Sequence, residues 1–297
     1  MRRQFFLQVA SMLCWVAAVI PASAQHFRLI SGSYVQVAAG QSEVWALDAK
    51  NQIYRFNATS KTFVKLPGTL TLSKIAVGGG SAMQADQIWG VSPSGSIYRF
   101  NAKNNAFGRV TGTMAQIAVG EGDFDSCHPY EIWALDSSQL TYRYDFCTSK
   151  FVSVAGSLAQ ISTRAGSTWG VDSAGQVYHY NLFDAAWEQI AGGPVQQIVA
   201  GPDYNVWGLD ASGRVYTYAD GIIDATALLG VEQVGVGAYG TWFAAANGGV
   251  YHIEGPGGGT FILAPMGPIQ AAQIVVGCGT GVWMISTAHH IYTLVRP

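Results

Sequence analysis

The sequence predicts an all-β chain: a seven-bladed β-propeller of four-stranded antiparallel blades, its ring closed by the N-terminal strand. Three observations carry that prediction. A tryptophan is followed nine residues later by a tyrosine seven times, at Trp45/Tyr54, Trp89/Tyr98, Trp133/Tyr142, Trp169/Tyr178, Trp207/Tyr216, Trp242/Tyr251 and Trp283/Tyr292. A short apolar segment precedes each pair and a further strand-like segment follows all but the last, giving four short strands, A to D, per full repeat. The fourth strand missing from the last repeat has a counterpart at the other terminus.

Strands B and C surround the Trp and the Tyr. Six residues past each Trp stand Asn51, Gly95, Gln139, Gly175, Gly213, Gly248 and His289, mostly residues that accept the left-handed backbone of a tight hairpin. Strand A is written as Gln36–Gly40, Lys74–Gly78, Gln116–Gly120, Gln197–Gly201, Gln233–Gly237 and Gln273–Gly277; the fourth copy, Gln160–Arg164, has lost its glycine. Strand D is expected at Phe63–Gly68, Phe107–Gly112, Phe151–Gly156, Trp187–Gly192, Ala225–Gly230 and Phe261–Gly267. The Trp-to-Trp period averages about 40 residues, the size of a propeller blade rather than of a leucine-rich or helical repeat. The period-two alternation and the wealth of Val, Ile, Tyr, Phe and Trp argue against helices.

The seventh repeat stops after Ile291–Val295, and Phe27–Gly32 fits the D pattern. Pairing these two segments closes the ring and hides strand edges that would otherwise recruit other chains. With both faces of every blade covered, strands B and C should be apolar on both sides, and the repeated Trp and Tyr should be packing residues.

Residues 1–24 read as a signal peptide: Arg2 and Arg3, an apolar run from Phe5 to Ile20, then Ala22-Ser23-Ala24 as an A-x-A cleavage site. The pair Arg2-Arg3 also loosely resembles a twin-arginine signal. Residues 25–297 are then one propeller domain, secreted or periplasmic, with no membrane span and expected to be a monomer. The leader takes two arginines and no acid, leaving 14 basic and 18 acidic residues and a net charge of -4, which excludes nucleic acid as a natural partner. Only 11% of residues are charged, far below the usual share of about 25%.

The pattern Val44-Trp45-Ala46-Leu47-Asp48, then Gln52-Ile53-Tyr54-Arg55-Phe56-Asn57, then Phe63-Val64-Lys65-Leu66-Pro67-Gly68, followed by Gln-Ile-Ala-Val-Gly as at 116–120, resembles the tectonin repeat. The best copies are residues 116–156 and 197–230. The resemblance implies a lectin of the kind that binds bacterial lipopolysaccharide or O-methylated glycans at several equivalent sites. Two departures stand against a simple transfer: well-known tectonin lectins have six blades, and repeat six, Trp242-Phe243-Ala244-Ala245-Ala246, lacks the turn acid.

In a four-stranded meander the A–B and C–D loops leave at the same end, which brings Cys127 beside Cys147 and leaves Cys278 single. Glu121, Asp123, Asp125 and His128 invite a Ca²⁺ or Zn²⁺ reading, but their spacing matches no closed ligand set, and a solvated loop pinned by a disulfide explains them better. No metal and no cofactor is expected. Asp48, Asp136, Asp172 and Asp210, each three residues past a Trp, suit turn hydrogen bonding rather than catalysis. His179 and His252 take the place of Arg55, Arg99 and Arg143 and read as surface strand residues. No nucleophile with a base and no catalytic carboxylate pair stands outside the repeat, so the chain is expected not to be an enzyme.

Sugar binding needs rings for C–H patches and fixed polar groups for hydroxyls. Two sets qualify: Arg55/Asn57, Arg99/Asn101, Arg143/Asp145 and His179/Asn181, at equal offsets from the Tyr, and the loop aromatics Tyr130, Tyr204 and Tyr239. The partner expected is therefore a glycan or polysaccharide. The alternative is a propeller scaffold for a protein partner at the cell envelope.

Overall fold

The turns that punctuate the repeat decide the strands. In the computed structural model, which describes residues 26–81, 84–202, 205–219, 221–226, 228–253, 261–264 and 269–295, all seven turn positions have positive φ. The glycines Gly95, Gly175, Gly213 and Gly248 are joined there by Asn51 (61°), Gln139 (66°) and His289 (63°). Asp48, Asp136, Asp172 and Asp210 secure four of these turns: each carboxylate accepts the backbone N–H groups two and four residues on and, with its other oxygen, the Tyr hydroxyl of strand C. Turn chemistry thus accounts for the recurring acid, as expected.

The result is an all-β propeller of four-stranded antiparallel blades. Strands β2 (Gln36–Ala39), β3 (Val44–Leu47), β4 (Ile53–Asn57) and β5 (Thr62–Lys65) form the first sheet. The second comprises β6 (Lys74–Gly78), β7 (Gln87–Val91), β8 (Ser96–Asn101) and β9 (Ala106–Thr113), and the third β10 (Gln116–Asp125), β11 (His128–Leu135), β12 (Leu140–Asp145) and β13 (Lys150–Ser157). Two meanders follow, β14 (Gln160–Arg164) to β17 (Ala186–Gly192) and β18 (Gln197–Ala200) to β21 (Ile222–Ala225). They share one eight-stranded sheet because β17 and β21 run parallel over Ala191↔Ile222 and Gly192↔Ile223. A further sheet holds β22 (Val231–Gly237) to β25 (Phe261–Ala264). In the last, β26 (Ala271–Val276), β27 (Val282–Ser286) and β28 (Ile291–Val295) are completed by β1 (His26–Ile30), antiparallel to β28 from His26↔Val295 to Ile30↔Ile291. Five four-stranded sheets therefore stand separately, where the sequence predicts seven blades.

The core lies between blades. Each Trp is turned into the next repeat around the ring: Trp45 onto Phe100 and Phe107, Trp89 onto Tyr144 and Phe151, Trp133 onto Tyr180 and Trp187, Trp169 onto Tyr218, Trp207 onto Phe243, and Trp242 onto Phe27. Trp283 returns to the first repeat, onto Phe56 and Phe63. Most of these contacts are edge-to-face, the arrangement ring quadrupoles favour. Strand A adds a polar clasp that the sequence reading missed. The Gln36 amide both donates to Ile75 O and accepts from Ile75 N, and Gln160 does the same with Ile198. Gln273 reaches Val37 across the closing seam.

Three expectations are corrected. Strand B is buried on both faces, as in Val44–Leu47 and Ser167–Val171, but strand C is not: Ile53–Asn57 is buried only at Ile53. The fourth strand of the fifth repeat is Ile222–Ala225, not Ala225–Gly230. Gly221, at φ 85°, turns the chain at once after Tyr218 and Ala219 pair with Ile223 and Ile222, so the strand begins earlier than in its longer-turned sisters. Nor is His252 a surface residue. It is 3% exposed and stacks on Trp242, with ring centroids 4.4 Å apart.

Candidate functional site

The proposed signal peptide and Tyr204 lie outside the described residues. The other candidate residues all sit on one end of the ring, where the A–B and C–D loops emerge. Each cation is the direct cross-strand partner of its Trp: Arg55 of Trp45, Arg99 of Trp89, Arg143 of Trp133 and His179 of Trp169. What the sequence reading missed is the residue two before the Trp. In the first repeat it is Glu43, whose carboxylate takes the Trp45 indole N–H (3.1 Å) and Nε of Arg55 (2.8 Å) on one oxygen and Nη2 of Arg55 on the other. Glu131 does the same for Trp133 and Arg143 in the third repeat, and it is fully buried. In the fourth, Ser167 accepts the Trp169 N–H (2.7 Å) and lies 3.5 Å from His179 Nε2. In the fifth, Asn205 accepts from Trp207 (2.7 Å). Across repeats one, three, four and five the residue type changes while the task, accepting from the indole, stays the same; in the sixth and seventh the backbone oxygens of Tyr239 and Thr280 accept instead. Only hydrogen-bonding chemistry, not identity, could have signalled it.

The arginines stay over aromatic rings. Arg55 lies 5.7 Å from Trp45 and 5.9 Å from Phe100; Arg99 is 5.6 Å from Trp89 and 5.0 Å from Phe146; Arg143 is 5.8 Å from Trp133. These are cation–π distances. Burial among such rings holds the His179 imidazole below its ordinary pKa, against the partial opposition of Glu188.

The second member of each pair caps a C–D turn. Asn57 Oδ1 accepts from the N–H groups of Thr59 and Ser60, Asn101 from Lys103, Asp145 from Cys147 and Thr148, and Asn181 from Phe183 and Asp184. These Asx turns follow one another along the same end of the first four repeats. The tip residue two positions on is Thr59, Lys103, Cys147 or Phe183, and Phe183 is fully exposed. Phenylalanine at a tip that is otherwise polar or bridged was the available signal for this residue.

Tyr130 is half-buried and packs 5.7 Å from Phe146; Tyr239 donates its hydroxyl to Gly279 O (3.1 Å). Cys127 and Cys147 are bridged, with Cα atoms 5.0 Å apart, tying the tip of the β10–β11 hairpin to the C–D turn of the same repeat. A bridge of this kind is at home in an oxidising compartment. The acidic loop set is divided. Asp125 accepts from Cys127 N and His128 N and pairs with the His128 ring at 2.7 Å, whereas Glu121 turns into the centre of the ring.

There, the first strand of every repeat lines a central cavity of about 330 Å³. Arg164, at the position where the other six strand-A segments carry glycine, crosses one mouth of it. It donates to Val276 O (3.3 Å) and to Cys278 Sγ (2.7 Å). The thiol in turn donates to Glu121 Oε1 (3.1 Å). Burial pushes the Cys278 thiol up to about 12 despite the nearby guanidinium. Burial also works against ionisation of Glu121, but the Ala165 N–H, Arg164 and the thiol outweigh it and hold its carboxyl below the usual range. A second, open cavity of about 590 Å³ lies between the first three repeats, lined by Glu43, Asp86, Gln87, Arg99, Phe100, Asn101, Lys103, Arg109 and Tyr144 among others.

The fold and the aromatic ring-to-ring packing define a β-propeller with polar loops gathered at one end. The chain belongs to the Tectonin domain family, whose model matches residues 33–230. A search of curated proteins finds no significant sequence match. Among solved structures it is similar to virginiamycin B lyase from Staphylococcus aureus, at 14% identity and TM-score 0.66 over 92% of this chain and 99% of that one. It is also similar to YCF48 bound to D1 peptide (11%, TM-score 0.67, 92% and 97%). A third is Prp20p from Saccharomyces cerevisiae, described with its binding properties to Gsp1p and histones (11%, TM-score 0.62, 89% and 83%). At these identities the likeness is one of fold. No helix among the described residues is long and apolar enough to cross a membrane.

Proposed function

We propose that this protein is a secreted or periplasmic carbohydrate-binding propeller, a monomer without catalytic activity, that engages surface glycans through its C–D turns. We read the eight-stranded sheet as two blades whose outer strands touch, which makes the ring seven-bladed. The observation that carries the reading is the row of four Asx-capped turns at one end of repeats one to four, with Phe183 fully exposed beside Asn181. A sugar ring can stack on such a face while rigid turns offer polar groups at fixed positions. Turns repeated around one end suit several weak contacts with a polymer, and avidity then multiplies affinity by roughly 10² to 10⁴. The tectonin family membership supports the same reading, with methylated sugars or lipopolysaccharide as candidate ligands.

A second reading, a scaffold for a protein partner, draws support from neighbours such as YCF48, solved with a D1 peptide. The discriminating experiment is a glycan array on the purified protein, followed by Phe183→Ala and by Asn57→Ala, Asn101→Ala and Asn181→Ala singly and together. Graded loss of glycan binding across the series, at unchanged melting temperature, supports the lectin. An empty array alongside capture of one envelope protein supports the scaffold.

A further inference from the structure

The second repeat departs from its neighbours at one residue, and the departure leaves a charge uncovered. In repeats one and three the residue two before the Trp is a glutamate, which neutralises the cross-strand arginine and accepts the indole N–H. In repeat two it is Gln87. Its amide oxygen accepts from Arg99 Nε (3.0 Å) and is the one hydrogen-bond acceptor of Arg99 among the described residues. The Trp89 indole N–H, fully buried, has no hydrogen-bond partner among the described residues. Repeat two therefore lacks both the negative charge and the acceptor that its sisters hold inside the blade.

The same arginine faces the 590 Å³ cavity. Lys103 and Arg109 line it too, both exposed and without an ion-pair partner among the described residues. The acids in that wall are already used. Asp86 accepts from Gln41 N, Ser42 N, the Ser42 hydroxyl and Glu43 N, and Glu43 is held by Arg55 and Trp45. Phe100, and Phe146 against the guanidinium, supply the apolar surface. A positive groove on a chain with more acids than bases is a local feature, not a by-product of overall charge.

We propose that this groove binds the carboxylate of an acidic sugar unit, with Arg99 as its anchor and Lys103 and Arg109 around it; this rests on the carbohydrate-binding reading above. The chain itself supplies the precedent for the chemistry. The carboxylates of Glu43 and Glu131 grip the matching arginines with both oxygens, the planar fork that guanidinium groups favour. A uronate entering the groove meets the Nη edge of Arg99, which Gln87 leaves unpaired.

The test uses calorimetry with tetragalacturonate, a neutral dextran tetramer, a sulfated dextran tetramer and a single-stranded DNA oligomer, on the wild type and on Gln87→Glu. That substitution installs the residue found in repeats one and three, so the fold is retained or strengthened. We expect wild-type binding of tetragalacturonate, at least tenfold weaker binding by Gln87→Glu with an unchanged or higher melting temperature, and a similar loss in Lys103→Ala/Arg109→Ala. Equal binding by Gln87→Glu, or no binding of tetragalacturonate, overturns the proposal. So does equal binding of the sulfated dextran or DNA, which carry no carboxylate and would make the groove a site for charge alone. If neutral glycans bind while tetragalacturonate does not, only this inference fails; if no glycan binds at all, the lectin reading fails with it.

Discussion

Arg143 and Glu131 illustrate what the repeated charges do for the blades. Glu131 is fully buried and Arg143 nearly so, and the pair satisfies Trp133 as well. Removing one partner strands the other, a loss of about 3–5 kcal/mol for a buried pair. Arg143→Met is therefore expected to lower the stability read by urea denaturation by about 3 kcal/mol, and adding Glu131→Gln to recover most of it. His179 makes the fourth repeat sensitive to acid instead. Its pKa is depressed by burial, so the unfolded chain binds the proton more readily. The stability it contributes is complete above about pH 6.5, its ordinary pKa, and is lost as pH falls through the folded value. The melting temperature should drop between pH 7 and pH 5, and His179→Gln should flatten that slope. From the sequence the recurring arginines were legible as a set, but not their occupation. Their partners vary as Glu43, Gln87 and Glu131, and Ser167 stands in that place opposite His179, so no repeated letter betrays them.

At the scale of the element, hairpins were the most readable feature, because a left-handed turn residue and an Asp with a Tyr six residues on leave little choice of register. The fifth repeat was misread in strand D because its segment has no aromatic residue and follows a turn too short to leave a gap in the pattern. The bridged loop of the third repeat yields a prediction at this scale. Cys127 and Cys147 are 20 residues apart, and closing a loop of that size restricts the unfolded chain by about 3 kcal/mol. Cys127→Ser/Cys147→Ser should lose about that much in denaturant titration, with the β10–β11 hairpin the first segment to gain amide exchange.

Across the whole molecule, the architecture followed from the missing seventh D strand, and β1 does pair with β28. What could not be read was how blades hold one another away from the aromatics. The glutamine clasps are backbone contacts, and a glutamine at the start of a strand carries no label saying which neighbour it will reach. Gln273→Ala removes the clasp at the closing seam, where Gln273 engages both N–H and C=O of Val37. Gln116, with one contact of 3.4 Å to Ile161 O, offers the comparison. Gln273→Ala is expected to lower the melting temperature more than Gln116→Ala. Deleting residues 26–30 should go further and replace one sharp calorimetric transition with a broad or split one.

The pairing of β1 with β28 also sets a timetable. Its partners, from Ile30↔Ile291 to His26↔Val295, are more than 260 residues apart, and contacts of such separation form late because so much chain must be gathered first. A polypeptide that is made, or threaded through a narrow opening, from its amino end must carry His26–Ile30 as an unpartnered edge until almost everything else has arrived. Completion is thus withheld until the chain is released, and a ribosome stalled before codon 291 would display an open horseshoe with two sticky ends.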